Sequence, residues 1–295
     1  AVTANASTKL LGLFSFSNMN VALDKINGRR GSSTALNGGS VVAGYGFPDQ
    51  PLLEEMTAKA IEVLKQNPNG FVLMIEGASI DKQAHNMDTE RWIVDTIEFD
   101  NAAENVRQFA TNSANGQTLA VITADHECAG VAIIGASLKT NANMITAAAS
   151  ANTTILRKDT VGTYEAASFP SYTLSGTDGY PTTMDPDYKM LVGYAANADR
   201  KEDWLTNALP LQDSQQPEGS ASYTSIKSLL PANPLARDTN GFTITGHIDG
   251  TSAAHTAGDI PLSAIGRGSK AFTGFQDNTD VFFKIMQAAV GGSAN

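Results

Sequence analysis

A single cysteine in 295 residues, Cys128, excludes any internal disulfide framework, so cysteine usage carries no sign of a redox compartment. Basic residues are also in deficit, 20 against 30 acidic ones, for a formal net charge of -10. A nucleic-acid backbone needs clustered Lys and Arg, so this balance excludes it as a partner. An anionic substrate would need local positive charge, from metal ions or a few basic groups. No run approaches the ~18 apolar residues of a membrane span, and the first residues, AVTANASTKL, lack the basic-then-apolar layout of a signal peptide. Any export signal is therefore expected to have been removed or to lie upstream. Charged residues make up only 17% and hydrophobic ones 42%, which is too apolar for disorder and enough for a sizeable core. The expectation is a globular, soluble chain, either one large α/β domain or one domain with an insertion.

The periodicity is then legible in four places. PLLEEMTAKAIEVLKQ, residues 51–66, sets Leu53, Met56, Ala60 and Leu64 on one helical stripe, and NPNG ends it. FVLMIE, residues 71–76, is a continuous apolar run between Gly70 and Gly77, as in a strand buried on both faces of a parallel sheet. Residues 88–110 alternate apolar and charged positions at helical spacing, and TLAVITA, residues 118–124, reads as a second buried strand. Strand, helix and strand together predict a right-handed β-α-β unit and a doubly wound, mostly parallel α/β sheet with helices on both faces. From 136 to 240 the chain turns to Ala, Ser, Thr, Asn, Gly and Pro with scattered aromatics, read as a large insertion of unknown fold between core segments 1–135 and 241–295. IPLSAIG, residues 260–266, restores a strand, and DNTDVFFKIMQAAV, residues 277–290, predicts a closing helix capped near Asp277 or Asn278.

In an open parallel sheet, ligands bind beyond the carboxyl ends of strands. Three clusters of ionisable groups fall at such places: Glu76, Asp81, Lys82 and His85 after the first strand, Asp125 and His126 after the second, and His247, Asp249, His255 and Asp259 before the third. All four histidines of the chain lie in these clusters. Mixed His and carboxylate ligands suit Zn²⁺, and an oxygen-only ligand such as Glu76 suits Mg²⁺. Each residue also has a plain reading: Asp125 as a helix cap, His126 as a structural histidine, Lys82 as a solvated surface cation. For His247, flanked by Gly246 and Gly250, the flexible-turn reading is preferred.

EGASIDKQAH, TADHECAG, AAHTAGDIPLSAIG and the trailing FTGFQDNTDVFFKIM, in that order and spacing, resemble the bacterial alkaline phosphatases, with the likeness running over 8–136 and 241–290 but not the middle insertion. The resemblance implies that Asp81, His85 and His255 hold a first Zn²⁺, that Asp125 and His126 contribute to a second, and that Glu76 ligates a neighbouring Mg²⁺. It implies that Lys82 reaches the phosphate through water. Small phosphate monoesters would be the substrates, the location periplasmic or secreted, and a homodimer possible. Two ions ~3.5–4 Å apart can stabilise both the attacking and the leaving oxygen of an in-line displacement, and would supply the positive charge an acidic chain lacks.

The family's Gly-Asp-Gly aspartate ligand, its Asp-Ser-Ala nucleophile and its phosphate-clamping arginine have no counterpart in the 295 residues. Ser79 and Ser263 are poor substitutes for the nucleophile, and Arg29 and Arg30 for the clamp. By this resemblance the chain is expected to be the C-terminal portion of the enzyme, with the N-terminal fragment of the same protein as partner. A related phosphodiesterase or sulfatase and a non-catalytic zinc-binding fragment remain the alternatives.

Overall fold

The computed structural model describes residues 3–5, 8–15, 18–30, 50–86, 88–112, 116–136, 173–182, 190–194, 196 and 252–291. His247, Asp249 and most of 136–240 lie outside the described residues. The fold grows around one long helix. α1 (Ala22–Arg29), α2 (Leu53–Leu64) and α3 (Ala78–His85) all pack against α4 (Thr89–Asn112), whose 24 residues span ~36 Å at 1.5 Å per residue. α2 starts where Glu55 accepts the Leu52 N–H (2.7 Å), and the same carboxylate is forked by Arg29 (3.0 and 2.8 Å), which ties α2 to the end of α1.

One core cluster joins Ala22, Leu23 and Ile26 of α1 to Leu52, Val94 and Tyr180. Beneath it run buried ion pairs: Lys25 to Glu98 at 2.7 Å, and Arg91 to both Asp24 (2.8 Å) and Asp88 (3.2 Å). Charge at this depth is tolerated only because each group is paired. α1 was not expected from the sequence, since Asp24 and Lys25 break its apolar pattern while being buried as partners of α4. Residues 173–182 also reach this core: Tyr180 is fully buried, and Arg30 forks Asp178 at 2.7 and 2.6 Å.

The strands follow as β1 (Leu119–Ile122), β2 (Glu127–Cys128), β3 (Val131–Ala136), β4 (Met190–Tyr194), β5 (His255–Thr256) and β6 (Ser263–Gly266). They form three antiparallel pairs, β1–β6, β2–β5 and β3–β4. The mixed α/β class expected from the sequence is the one found, and strands at 118–124 and 260–266 are present as β1 and β6. The run 71–76 is different. Every second residue of it is exposed, Val72 and Met74 at 84% each, and among the described residues it joins no ladder. A strand buried on both faces needs neighbours on both edges and cover on both sides, and the described residues cover one face only. The parallel pairing of 71–76 with 118–124 is accordingly not among the described ladders.

A single 3₁₀ turn (Ser269–Phe272) leads from β6 toward α5 (Asn278–Val290), whose N-cap is Asp277 as expected. None of the residues of α5 is buried, although it carries Phe282, Phe283, Ile285, Met286 and Val290.

Candidate metal centre

The site begins with helical spacing. ASIDKQAH, which follows the expected first strand, is α3, and its start is confined by Gly77, where a Cβ would stand 3.1 Å from Phe99 and 3.2 Å from Ile80. On a helix, residues four apart share a face, so Asp81 and His85 point the same way, with His85 Nε2 3.4 Å from Asp81 Oδ2. His85 is held twice by one residue of the facing segment. Its carbonyl accepts the Ala253 N–H (2.9 Å), and its Nδ1 lies 2.6 Å from the Ala253 carbonyl. A carbonyl can only accept, so Nδ1 is the donor, which leaves Nε2 as the nitrogen free to offer a lone pair to a metal ion.

The other side is the short β2–β5 pair. Its register sets Cys128 directly opposite His255, and directly opposed residues of an antiparallel pair project to the same face. His255 Nε2 lies 2.9 Å from His85 Nε2 and 3.3 Å from Asp81 Oδ1. The donor atoms of Asp81, His85, Cys128 and His255 all fall within 4.8 Å of one another. Two nitrogens bound tetrahedrally to one Zn²⁺ at ~2.0–2.1 Å stand about 3.3 Å apart, so this spacing fits a single ion.

Glu127 builds the platform beneath. Its carboxylate accepts the N–H groups of Gly130 and Val131, both at 2.9 Å, and the Thr256 hydroxyl. Those bonds close a two-residue turn in which Ala129 and Gly130 both have positive φ, 68° and 61°, and they tie the turn to β5. Ala129 N–H donates to the Ala254 carbonyl at 2.8 Å, so the buried alanine also ties the turn to the strand before His255.

His126 stacks on His255, ring centroids 3.5 Å apart, and its Nε2 is 3.3 Å from Asp125 Oδ2. Asp125 is largely exposed, so this pair borders the group of four without entering it. His126 Nδ1 and Asp81 Oδ1, 3.9 Å apart, are both buried atoms with no hydrogen-bond partner. An orphaned imidazole nitrogen and an orphaned carboxylate oxygen facing each other are the chemistry that a shared cation satisfies, and the donor set fits zinc. Glu76, two residues before α3, is exposed and stands outside the group. Lys82, on another face of α3, donates from Nζ to Asn18 Oδ1 and does not join it.

The alkaline phosphatase family model matches residues 1–291. The chain belongs to the alkaline phosphatase family. Alkaline phosphatase H of Pseudomonas aeruginosa is 51% identical over 78 residues, 26% of this chain and 16% of its own. Alkaline phosphatase 4 of Bacillus subtilis is 27% identical over 290 residues, 97% of this chain and 50% of its own. The chain thus spans about half the length of this Bacillus subtilis relative and a smaller share of the Pseudomonas one. A solved cold-active alkaline phosphatase from a psychrophilic Shewanella species is similar over 80% of this chain and 50% of that one, at 22% identity and a TM-score of 0.40. The family match runs through 136–240 as well as through both flanking segments.

The structure gathers Asp81, His85 and His255, seats His126 and Asp125 beside them, and leaves Glu76 and Lys82 apart. Sequence reasoning missed Cys128 and Glu127. The signal for Cys128 was its position two residues after His126, on the same side of an extended segment. Burial, a hydrogen bond to the Asp81 carbonyl (3.7 Å) and the charges of Asp81 and Glu127 push its thiol well above the ordinary range.

Proposed function

We propose that this chain carries the metal-binding half of an enzyme that hydrolyses small phosphate monoesters at alkaline pH. Asp81, His85 and His255 hold one Zn²⁺, Asp125 and His126 contribute to a second, and Glu76 serves a Mg²⁺. The observation that carries this reading is the convergence of Asp81, His85 and His255, with His85 Nε2 turned inward by the Ala253 carbonyl at 2.6 Å. Ions bound here would neutralise charge developing on the attacking and leaving oxygens of the phosphoryl group. The residues of the chain have their own tasks. Ala253 fixes the His85 ring, Glu127 fixes the turn that presents Cys128 and His255, and Lys82 swings from Asn18 to reach a phosphate oxygen through water.

The serine nucleophile and the phosphate clamp are supplied in this reading by an N-terminal polypeptide of the same protein, outside these 295 residues. Two features support it: the absence of an Asp-Ser-Ala segment, and the exposed faces of Val72 and Met74 and of Phe282 and Phe283, which that polypeptide would cover. The assembled enzyme is periplasmic or secreted, and dimeric. The same absence supports a second reading, a zinc-binding fragment without turnover.

Zinc and magnesium per chain, with p-nitrophenyl phosphate turnover before and after chelation and with and without the N-terminal polypeptide, test both. About two zinc ions, and activity that appears only with the added polypeptide and vanishes on chelation, support the enzyme. Zinc without turnover in the assembled pair leaves the binding fragment. Faster cleavage of a diester or a sulfate ester than of the monoester overturns the substrate assignment.

A further inference from the structure

Three ligands from two elements would leave the first ion with one tetrahedral position to fill. Resting on the proposed zinc reading, we infer that Cys128 fills it, so that the first ion is held by Asp81, His85, His255 and the Cys128 thiolate. The register supplies the reason. Cys128 and His255 are directly opposed across β2–β5, and their donor atoms lie with those of Asp81 and His85 inside 4.8 Å. Sγ is already beside α3, 3.7 Å from the Asp81 carbonyl, so the thiol reaches the segment that carries two of the other ligands. On binding, a sulfur–metal bond forms, the thiol proton passes to solvent, and no electron changes hands.

This set differs in kind from one carboxylate and two imidazoles. Two anionic ligands cancel the double charge of the ion, which reduces its pull on an anionic substrate, and the sulfur makes the site prefer zinc over harder cations. The filled fourth position would fasten α3 to the β2–β5 pair, and a phosphoryl oxygen would add as a fifth ligand, the expansion that zinc allows in catalysis.

Cobalt(II) is the probe, because a thiolate ligand adds an intense near-ultraviolet charge-transfer band to the weak visible bands of the ion. As Cys128 is the only cysteine, any sulfur band belongs to it. The expected result is that band in the wild-type chain, its loss in Cys128→Ser with the visible bands retained, and Co²⁺ binding weakened beyond the ~10–100-fold that loss of an outer-shell partner costs. A second measurement needs no variant: alkylation of Cys128 in the wild-type chain slows at least tenfold when Zn²⁺ is added and recovers with chelator. Visible bands without the sulfur band, or an alkylation rate indifferent to zinc, overturn the fourth ligand and leave the Asp-His-His zinc reading standing. No cobalt spectrum at all overturns both.

Discussion

Replacing Lys25 by Met tests whether the frame around the site is held by its buried charges. Lys25 and Glu98 expose only 5% and 7% of their side chains, and Nζ donates to Glu98 Oε1 at 2.7 Å and to the Pro51 carbonyl at 3.2 Å. Without the ammonium, Glu98 keeps, among the described residues, only the Leu53 N–H at 2.9 Å, too little for a buried carboxylate. Breaking one side of a buried pair costs ~3–5 kcal/mol, a large part of a total stability of ~5–15 kcal/mol. Asp95 adds a pH dependence. Burial, then the charge of Glu98, raises its pKa well above the ordinary carboxylate value, and the Ala22 N–H and Lys25 pull it back. An acid whose folded-state pKa is raised favours folding fully below its unfolded pKa and loses that contribution as pH rises through the folded value. In Lys25→Met that folded value climbs further, so the loss of stability should be greater at pH 8 than at pH 5. Urea unfolding at the two pH values measures both. In Lys25→Met with Glu98→Leu most of the loss should return, because the unpaired charge is gone. A single-variant cost below about 1 kcal/mol at pH 8, or one that shrinks as pH rises, would refute the reasoning.

Two further outcomes are expected. Asp81→Asn should lower bound zinc by one ion per chain, because Asp81 faces His85 and His255 at 3.4 and 3.3 Å; unchanged stoichiometry by elemental analysis would remove Asp81 from the ligand set. Gly266→Ala should destabilise the chain by ~1–3 kcal/mol, since φ is +87° and a Cβ would meet the Thr118 carbonyl at 2.0 Å; a denaturation midpoint within error of wild type would show that the β1–β6 end yields.

The elements that were legible in the sequence are those whose local signals agree with their surroundings. Residues 51–66 carry a helical stripe and a stop at NPNG, residues 277–290 a cap at their start, and both are helices within a few residues of the expected bounds. α1 was not legible because its polarity is misleading: Asp24 and Lys25 look like a solvated turn and are buried against Arg91 and Glu98, partners more than 60 residues away. The run 71–76 misled in the other direction. Its unbroken apolarity implies cover on both faces, but apolar composition records what a segment needs, and the partner that meets the need is written elsewhere. Its exposed Val72 and Met74 are that unmet need made visible.

The site divides along the same line. Asp81 and His85 were grouped as neighbours after a strand and assigned to one ion by resemblance; the helix supplies the physical reason, because residues four apart share a face. His255 could be placed near them only by resemblance, since nothing local links residue 255 to residue 85. Cys128 had only a weak local signal, its place two residues after His126, and no link to Asp81, His85 or His255. Its membership depends on one register, Cys128 against His255, and a shift of a single residue would turn its side chain to the other face of the pair. That register is held by Glu127, whose carboxylate binds the turn on one side and Thr256 on the other. Glu127 is therefore the residue through which the sequence sets Cys128 opposite His255, and so whether the thiol could join Asp81, His85 and His255 around an ion.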